Sequence, residues 1–241
     1  MIFRQIRSND GTGTLSYLIA DNKTLNGIII DPNLEDIEYI KEIVKAEGLK
    51  VKYIVDTHTH ADHKTAAKEL KALFGSKLIM HINTKNKWKV VDEGDKFGIG
   101  DILRANEKSE VDLYVEDGDE INMDSISAKV IFTPGHTDNH ISILIDDMIF
   151  TGDLLLIGQA GRSDLPGGNP EDQYDSLFNK NAGRILHPLQ VQTLRRNVGS
   201  RFPAIPALQN RHKFLLSDFP CTDVEQRSHN SPYHSPKKAV R

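Results

Sequence analysis

One cysteine, one tryptophan and four methionines stand in a chain of 241 residues, and each scarcity excludes something. Cys221 alone cannot close an internal disulfide, so a core must hold the fold, and the expected compartment is a reducing cytoplasm. No apolar run approaches the roughly 18 residues of a membrane span, so no membrane partner is expected. Met1 to Ile6 has neither a long apolar core nor a small-residue cleavage site, so no secretory signal is expected. Neither sign of charge dominates: 30 Lys and Arg face 34 Asp and Glu, for a net charge of −4. That balance argues against a basic nucleic-acid binder, and a hydrophobic content of 38% argues against general disorder. The ten histidines, unevenly spread, carry the information.

The first third alternates strand and helix. Thr14–Ala20 and Gly27–Ile30 read as strands joined at the Asp21-Asn22-Lys23 turn, and Asn33 offers a helix N-cap. Ile37, Ile40, Ile43 and Val44 follow at helical spacing up to Gly48. Val51–Val55 reads as a buried strand that delivers the chain to a histidine-rich loop. Ala66, Ala67, Leu70, Leu73 and Phe74 then form one predicted helix face ending at Gly75. Lys77–His81 predicts a strand, and Lys85–Glu110 a polar surface excursion. Strands are expected at Ile126–Phe132, Ile141–Ile145 and Met148–Thr151, with helical spacing returning over Pro170–Lys180. The segment 181–211 differs: five arginines and no lysine, aspartate or glutamate. We expect a single domain over 1–220, with 181–206 aberrant within it, and a disordered tail over 221–241.

The loop after the Val51–Val55 strand holds His58-x-His60-x-Asp62-His63, four potential ligands in six residues. Converging imidazoles and a carboxylate at a strand end suit one metal or two metals close together. His136 in Pro134-Gly135-His136 and Asp153 in Thr151-Gly152-Asp153 each end a predicted strand in a tight turn, and glycine before the ligand lets the backbone turn sharply. Other residues read as ordinary. His81 and His140 are expected as packing or surface groups, Trp88 as an anchor of the excursion, and His212, His229 and His234 as solvated. Cys221 has no base near it in sequence.

His58-x-His60-x-Asp62-His63, Pro-Gly-His136-Thr and Thr-Gly-Asp153, in that order, resemble the metallo-β-lactamase fold superfamily. The resemblance covers about Ile2 to Lys180 and implies an α+β fold, a four-layer αβ/βα sandwich with metals at one edge. Gly161-Arg162-Ser163-Asp164-Leu165, Gly167-Gly168-Asn169-Pro170-Glu171 and Tyr174-Asp175-Ser176-Leu177 look like the glutathione-linked branch, which holds glyoxalase II hydrolases and persulfide dioxygenases. Resemblance to the dioxygenases implies one Fe(II) on His58, His136 and Asp153, with His60, Asp62 and His63 orienting them. Resemblance to the hydrolases implies two Zn(II): His58, His60 and His136 on one, Asp62, His63 and a further histidine on the other, and Asp153 bridging.

That further histidine belongs to a Pro-x-His-Asp-Tyr-like motif of the relatives, which in register falls near Leu194. This chain lacks it there, and His187 is the nearest candidate. The mononuclear set is complete and the dinuclear set is not, which favours a dioxygenase. The expected partners are a glutathione-derived small molecule and O₂, and a homodimer is left open. Asp62 and Arg162 are the residues expected to take part in catalysis, Arg162 as a planar fork for a substrate carboxylate. A third reading is a metal-binding homologue whose C-terminal pocket is damaged.

Overall fold

The computed structural model describes residues 1–9, 11–86, 98–107, 110–156 and 158–180. In chain order the strands of a first sheet are β1 (Ile2–Arg7), β2 (Leu15–Ala20), β3 (Asn26–Ile30), β4 (Lys50–Val55), β5 (Lys77–His81) and β6 (Leu113–Val115). Their spatial order follows the sequence. β1, β2 and β3 run antiparallel, and β3 to β6 run parallel. Parallel neighbours need crossovers, and three helices supply them: α1 (Ile37–Glu47), α2 (Ala67–Phe74) and α3 (Gly100–Glu107). Asn33 caps as expected, but its Oδ1 accepts from Glu35 N at 3.0 Å to start a 3₁₀ turn ahead of α1.

A second sheet is an antiparallel meander of β7 (Glu120–Met123), β8 (Ile126–Phe132), β9 (Ile141–Ile145) and β10 (Met148–Phe150). A small ribbon, β11 (Leu155–Leu156) with β12 (Gln159–Ala160), and a short helix α4 (Pro170–Tyr174) follow; Asp175–Lys180 continues α4 as a π-helical turn.

Alternation along the first sheet builds two cores. Leu18, Ala20, Ile29, Ile54, Leu78 and Met80 pack against Ile40, Val44, Ala67 and Leu70 of the helices. Their neighbours Ile19, Ile28, Ile30, Val55 and Ile79 face the second sheet and meet Ala128, Val130, Ile141, Ile143 and Ile145. Each such side chain, once fully buried, contributes about 1.5–3 kcal/mol, so the sheets are held in fixed relation and so are the loops at their edges. Helices, first sheet and second sheet make three layers of the expected sandwich. The aberrant segment, the tail, Trp88 and His187 lie outside the described residues. Among the described residues no helix is long and apolar enough to cross a membrane.

Two expectations need correction. Leu73 is 51% exposed: it lies on the outer side of α2, away from Leu70. The excursion after β5 is not only surface, because it contains α3, whose Leu103 is buried.

Candidate metal centre

β4 of the first sheet and β8 and β10 of the second, which run in the same direction on either side of β9, all end at one edge. Ile141 N donates to Thr57 O at 2.8 Å and joins the sheets there. The groundwork of the centre is Asp31, just past β3. It takes the left-handed backbone (φ 49°), an uncommon state for a non-glycine residue. Its buried carboxylate accepts from Thr57 N (2.7 Å) and from Thr57 Oγ1 (2.9 Å). Burial alone would raise Asp31, yet the contacts with His60 and Thr57 hold it below the usual carboxylate range.

Thr57 then decides the tautomer of His58. Its one hydroxyl proton goes to Asp31, which can only accept, so Thr57 Oγ1 must accept from His58 Nδ1, 2.9 Å away. Burial, together with the nearby imidazoles of His60, His136, His140 and His63, pushes His58 well below the usual histidine value, so the ring is neutral. Nε2 is therefore a bare lone pair, buried, with no hydrogen-bond partner among the described residues. His136 repeats the arrangement with another acceptor. Its Nδ1 donates to the Arg162 carbonyl at 2.6 Å, which leaves Nε2 facing Asp153 Oδ2 at 3.6 Å. His58, His136 and Asp153 bring three donor atoms within 4.8 Å of one another. Two buried imidazoles and a partly exposed carboxylate, converging at one point, fit a transition-metal ion. Left without one, the buried bare Nε2 of His58 costs about 1–3 kcal/mol.

A second set, His60, Asp62 and His63, lies beside it with the same spacing. The His58 and His60 rings are 4.2 Å apart, those of His60 and His63 4.3 Å. His63 Nδ1 donates to Asp62 Oδ1 at 2.9 Å, so its Nε2 is turned inward, whereas Asp62 is half-exposed. His60 is shared: its Nε2 stands 3.3 Å from Asp31 and 4.0 Å from Asp56. Burial alone would lower His60, but the Asp31 carboxylate outweighs it and lifts the ring to about 10.

The glycines are required here. Gly152 has φ 47°, and a Cβ on it would come within 2.5 Å of Thr57 Oγ1; a Cβ on Gly161 would fall on the Asp153 carbonyl. His140 packs, as expected, but against the centre. It is fully buried, its ring stacks on His58 at 5.1 Å, and burial with nearby His136 lowers it to about 3. His81 packs elsewhere, stacked on Phe132 at 4.1 Å.

Arg162 contributes its carbonyl to the centre. Its guanidinium forms a bidentate pair with Asp164, at 2.8 Å for both bonds, and both side chains are about two-thirds exposed. Sequence reasoning missed Asp31, Thr57 and Asn106. Asn106, on α3, donates to His60 O (3.1 Å) and His63 O (3.0 Å) and accepts from Thr65 N (3.0 Å), clamping the ligand loop from the excursion. Nothing local signals that role; Asp31 and Thr57 had a signal in their positions beside the strand ends.

Comparison with known proteins gives the family of the chain. The family model described as metallo-beta-lactamase superfamily matches residues 9–192. The mitochondrial persulfide dioxygenase ETHE1 of Bos taurus is 31% identical over 169 residues, covering 69% of this chain; the chain spans 58% of that relative's length. A protein of Agrobacterium fabrum named beta-lactamase hydrolase-like is 31% identical over 179 residues, or 69% of this chain and 41% of its own. Among solved structures, ETHE1 from Myxococcus xanthus superposes with a TM-score of 0.62 at 34% identity, covering 74% of this chain and 69% of that one.

Proposed function

The chain belongs to the metallo-beta-lactamase superfamily, and on that premise we propose that it is a glutathione-persulfide dioxygenase using one ferrous ion held by His58, His136 and Asp153. One observation carries the reading: two imidazoles fixed with Nε2 toward a shared point beside a single carboxylate, a donor set that leaves coordination positions open. The ETHE1 relatives, at 31% and 34% identity, support it. When bound, iron supplies a place where the substrate sulfur and O₂ meet and exchange electrons. In the overall reaction the outer persulfide sulfur loses four electrons to O₂, and water supplies the third oxygen of sulfite, releasing glutathione and two protons.

The chain's own residues bind and orient. Thr57 and the Arg162 carbonyl fix the two tautomers. His58, His60 and His140 close the inner side against water, all being nearly inaccessible. The Asp153 side chain, about one-third exposed, and Asp62 mark the side from which a substrate arrives. Asp62 and His63 act there as a hydrogen-bonded pair that orients substrate and water. The Arg162 guanidinium, on the loop that touches His136, is the cation for a glutathione carboxylate.

A second reading, a dinuclear zinc hydroxyacylglutathione hydrolase, is favoured by the His60, Asp62 and His63 set and by the hydrolase-named relative. Metal analysis of protein purified without added metal, beside oxygen-uptake and thioesterase assays, decides between them. About one iron per chain with oxygen uptake on glutathione persulfide is expected. Two tightly held metals with thioester hydrolysis would overturn the dioxygenase, and metal loading without either turnover would point to a homologue with a damaged pocket.

A further inference from the structure

His58 reaches the centre from the first sheet and His136 from the second. The distance between these ligands therefore depends on what ties the loop after β4 to the loop after β8. Asn139 is 2% exposed and uses its whole amide in that tie. Its Nδ2 donates to Thr59 Oγ1 (2.7 Å) and Thr84 Oγ1 (3.0 Å). Its Oδ1 accepts from Thr137 Oγ1 (2.8 Å) and, more weakly, from Thr59 N (3.4 Å). Thr59 lies between His58 and His60, Thr137 follows His136, and Thr84 sits on the Ile82–Asn86 turn.

We propose that Asn139 is a positioning residue of the metal centre: its amide joins the two ligand loops and sets the separation of His58 and His136. The inference rests on the metal-binding reading above, but not on which reaction the metal serves. Two neighbouring bonds show why the amide matters. Ile141 N to Thr57 O (2.8 Å) joins the sheets one step behind the ligands, and Asn83 Nδ2 to Asp138 O (2.9 Å) reaches the second loop without touching the first. Asn139 alone among these three holds Thr59. It also lines a small cavity with Thr59, Thr84, Thr137 and Pro166. Water entering that cavity after truncation would re-satisfy the stranded hydroxyls, yet water cannot hold two loops at a fixed spacing.

The test uses the full chain and Co²⁺ as the probe, titrated against a competing chelator and followed by the visible absorption of the bound ion. Asn139→Ala is expected to weaken Co²⁺ binding about 10- to 100-fold, as loss of outer support to a metal site does, and to change the shape of the absorption band, because the tie between the two ligand loops is lost. Asn139→Asp is expected to recover most of the affinity, since its oxygens accept from Thr137, from Thr59 N and from the rotated hydroxyls of Thr59 and Thr84. A purely structural role would lower the melting temperature of the metal-free protein and leave the band unchanged. Wild-type affinity and band shape in folded Asn139→Ala would overturn the proposal. So would an equal perturbation by Thr84→Val, which loosens only the turn. If Asn139→Ala does not fold, Thr59→Val removes one loop-to-loop bond and carries the same expectation: weaker binding and a changed band, with wild-type values overturning the idea. Absence of Co²⁺ uptake by the wild-type chain would remove the metal reading and this inference together, whereas equal uptake by wild type and variant removes only this one.

Discussion

Thr57→Val isolates the tautomer lock, because valine keeps the shape of threonine and replaces only the hydroxyl. Thr57 is fully buried, and its hydroxyl lies 2.9 Å from both Asp31 Oδ2 and His58 Nδ1. The substitution removes a hydrogen bond to a charged carboxylate, about 1.5–3 kcal/mol, and leaves the His58 N–H buried without an acceptor, for a further cost of about 1–3 kcal/mol. Asp31 keeps its bond from Thr57 N, so the sum falls near the low end, about 3 kcal/mol, or roughly 6–12 °C in melting temperature for a domain of this size. A second effect separates this account from simple destabilisation. Without an acceptor at Nδ1 the proton is free to sit on Nε2, where a metal would bind, so metal affinity should fall about 10- to 100-fold in protein that is still folded. Melting curves of the metal-free protein and chelator-competition titrations, run on the same preparation at a temperature well below unfolding, measure both. Thr57→Ser keeps the hydroxyl and should restore the affinity. A Thr57→Val protein that melts lower but binds metal like the wild type would refute the relay from Asp31 through Thr57 to His58.

Most of the fold was legible because its signals are local. The apolar run Gly27–Ile30, the alternation through Ile126–Phe132, the helical spacing from Ile37 and the glycine stops all depend on neighbours in sequence. That the candidate ligands come together was legible for a similar reason, since histidines and aspartates at strand ends have few other uses in such density. What the sequence could not convey is who holds the ligands. The Asp31 carboxylate acts across 26 residues on Thr57, Asn106 across 43 and 46 residues on the His63 and His60 carbonyls, and the Arg162 carbonyl across 26 on His136. Each is a long-range bond from a polar residue that, read locally, is an ordinary turn or surface group. Leu73 shows the opposite failure. An apolar residue at helical spacing was assigned to the buried face, yet hydrophobic residues need not be buried.

Three further predictions concern charge and ligation. His136→Ala and Asp153→Ala should each abolish tight binding of the first metal, as measured by metal content after dialysis, because each removes one of three donors; full retention in either would remove that residue from the ligand set. His63→Ala should keep one metal per chain if the centre is mononuclear and lose one of two if it is dinuclear. Asp56, raised to about 6 by burial, with His60 opposing and Asp31 reinforcing the rise, binds its proton more tightly folded than unfolded. Its contribution is therefore present below the unfolded value near 4 and lost as pH rises through 6. Asp56→Asn should flatten the stability of the metal-free protein across that window, and an unchanged profile of melting temperature against pH would show that Asp56 does not titrate there. The last prediction decides what the Arg162 guanidinium does. Its pair with Asp164 is exposed, so it contributes at most about 1 kcal/mol to the fold. A substrate carboxylate that uses the same fork has to compete with Asp164 for it. Arg162→Lys, which replaces a fork with a point charge, should therefore raise KM for glutathione persulfide while leaving metal content and melting temperature nearly unchanged. Asp164→Ala should act in the opposite direction, lowering KM by freeing the fork. If instead the pair only braces the loop that carries the Arg162 carbonyl to His136, both variants should move together, lowering metal affinity and leaving KM of the metal-loaded protein alone. Opposite shifts in KM keep Arg162 in the substrate site, and parallel losses of metal take it out.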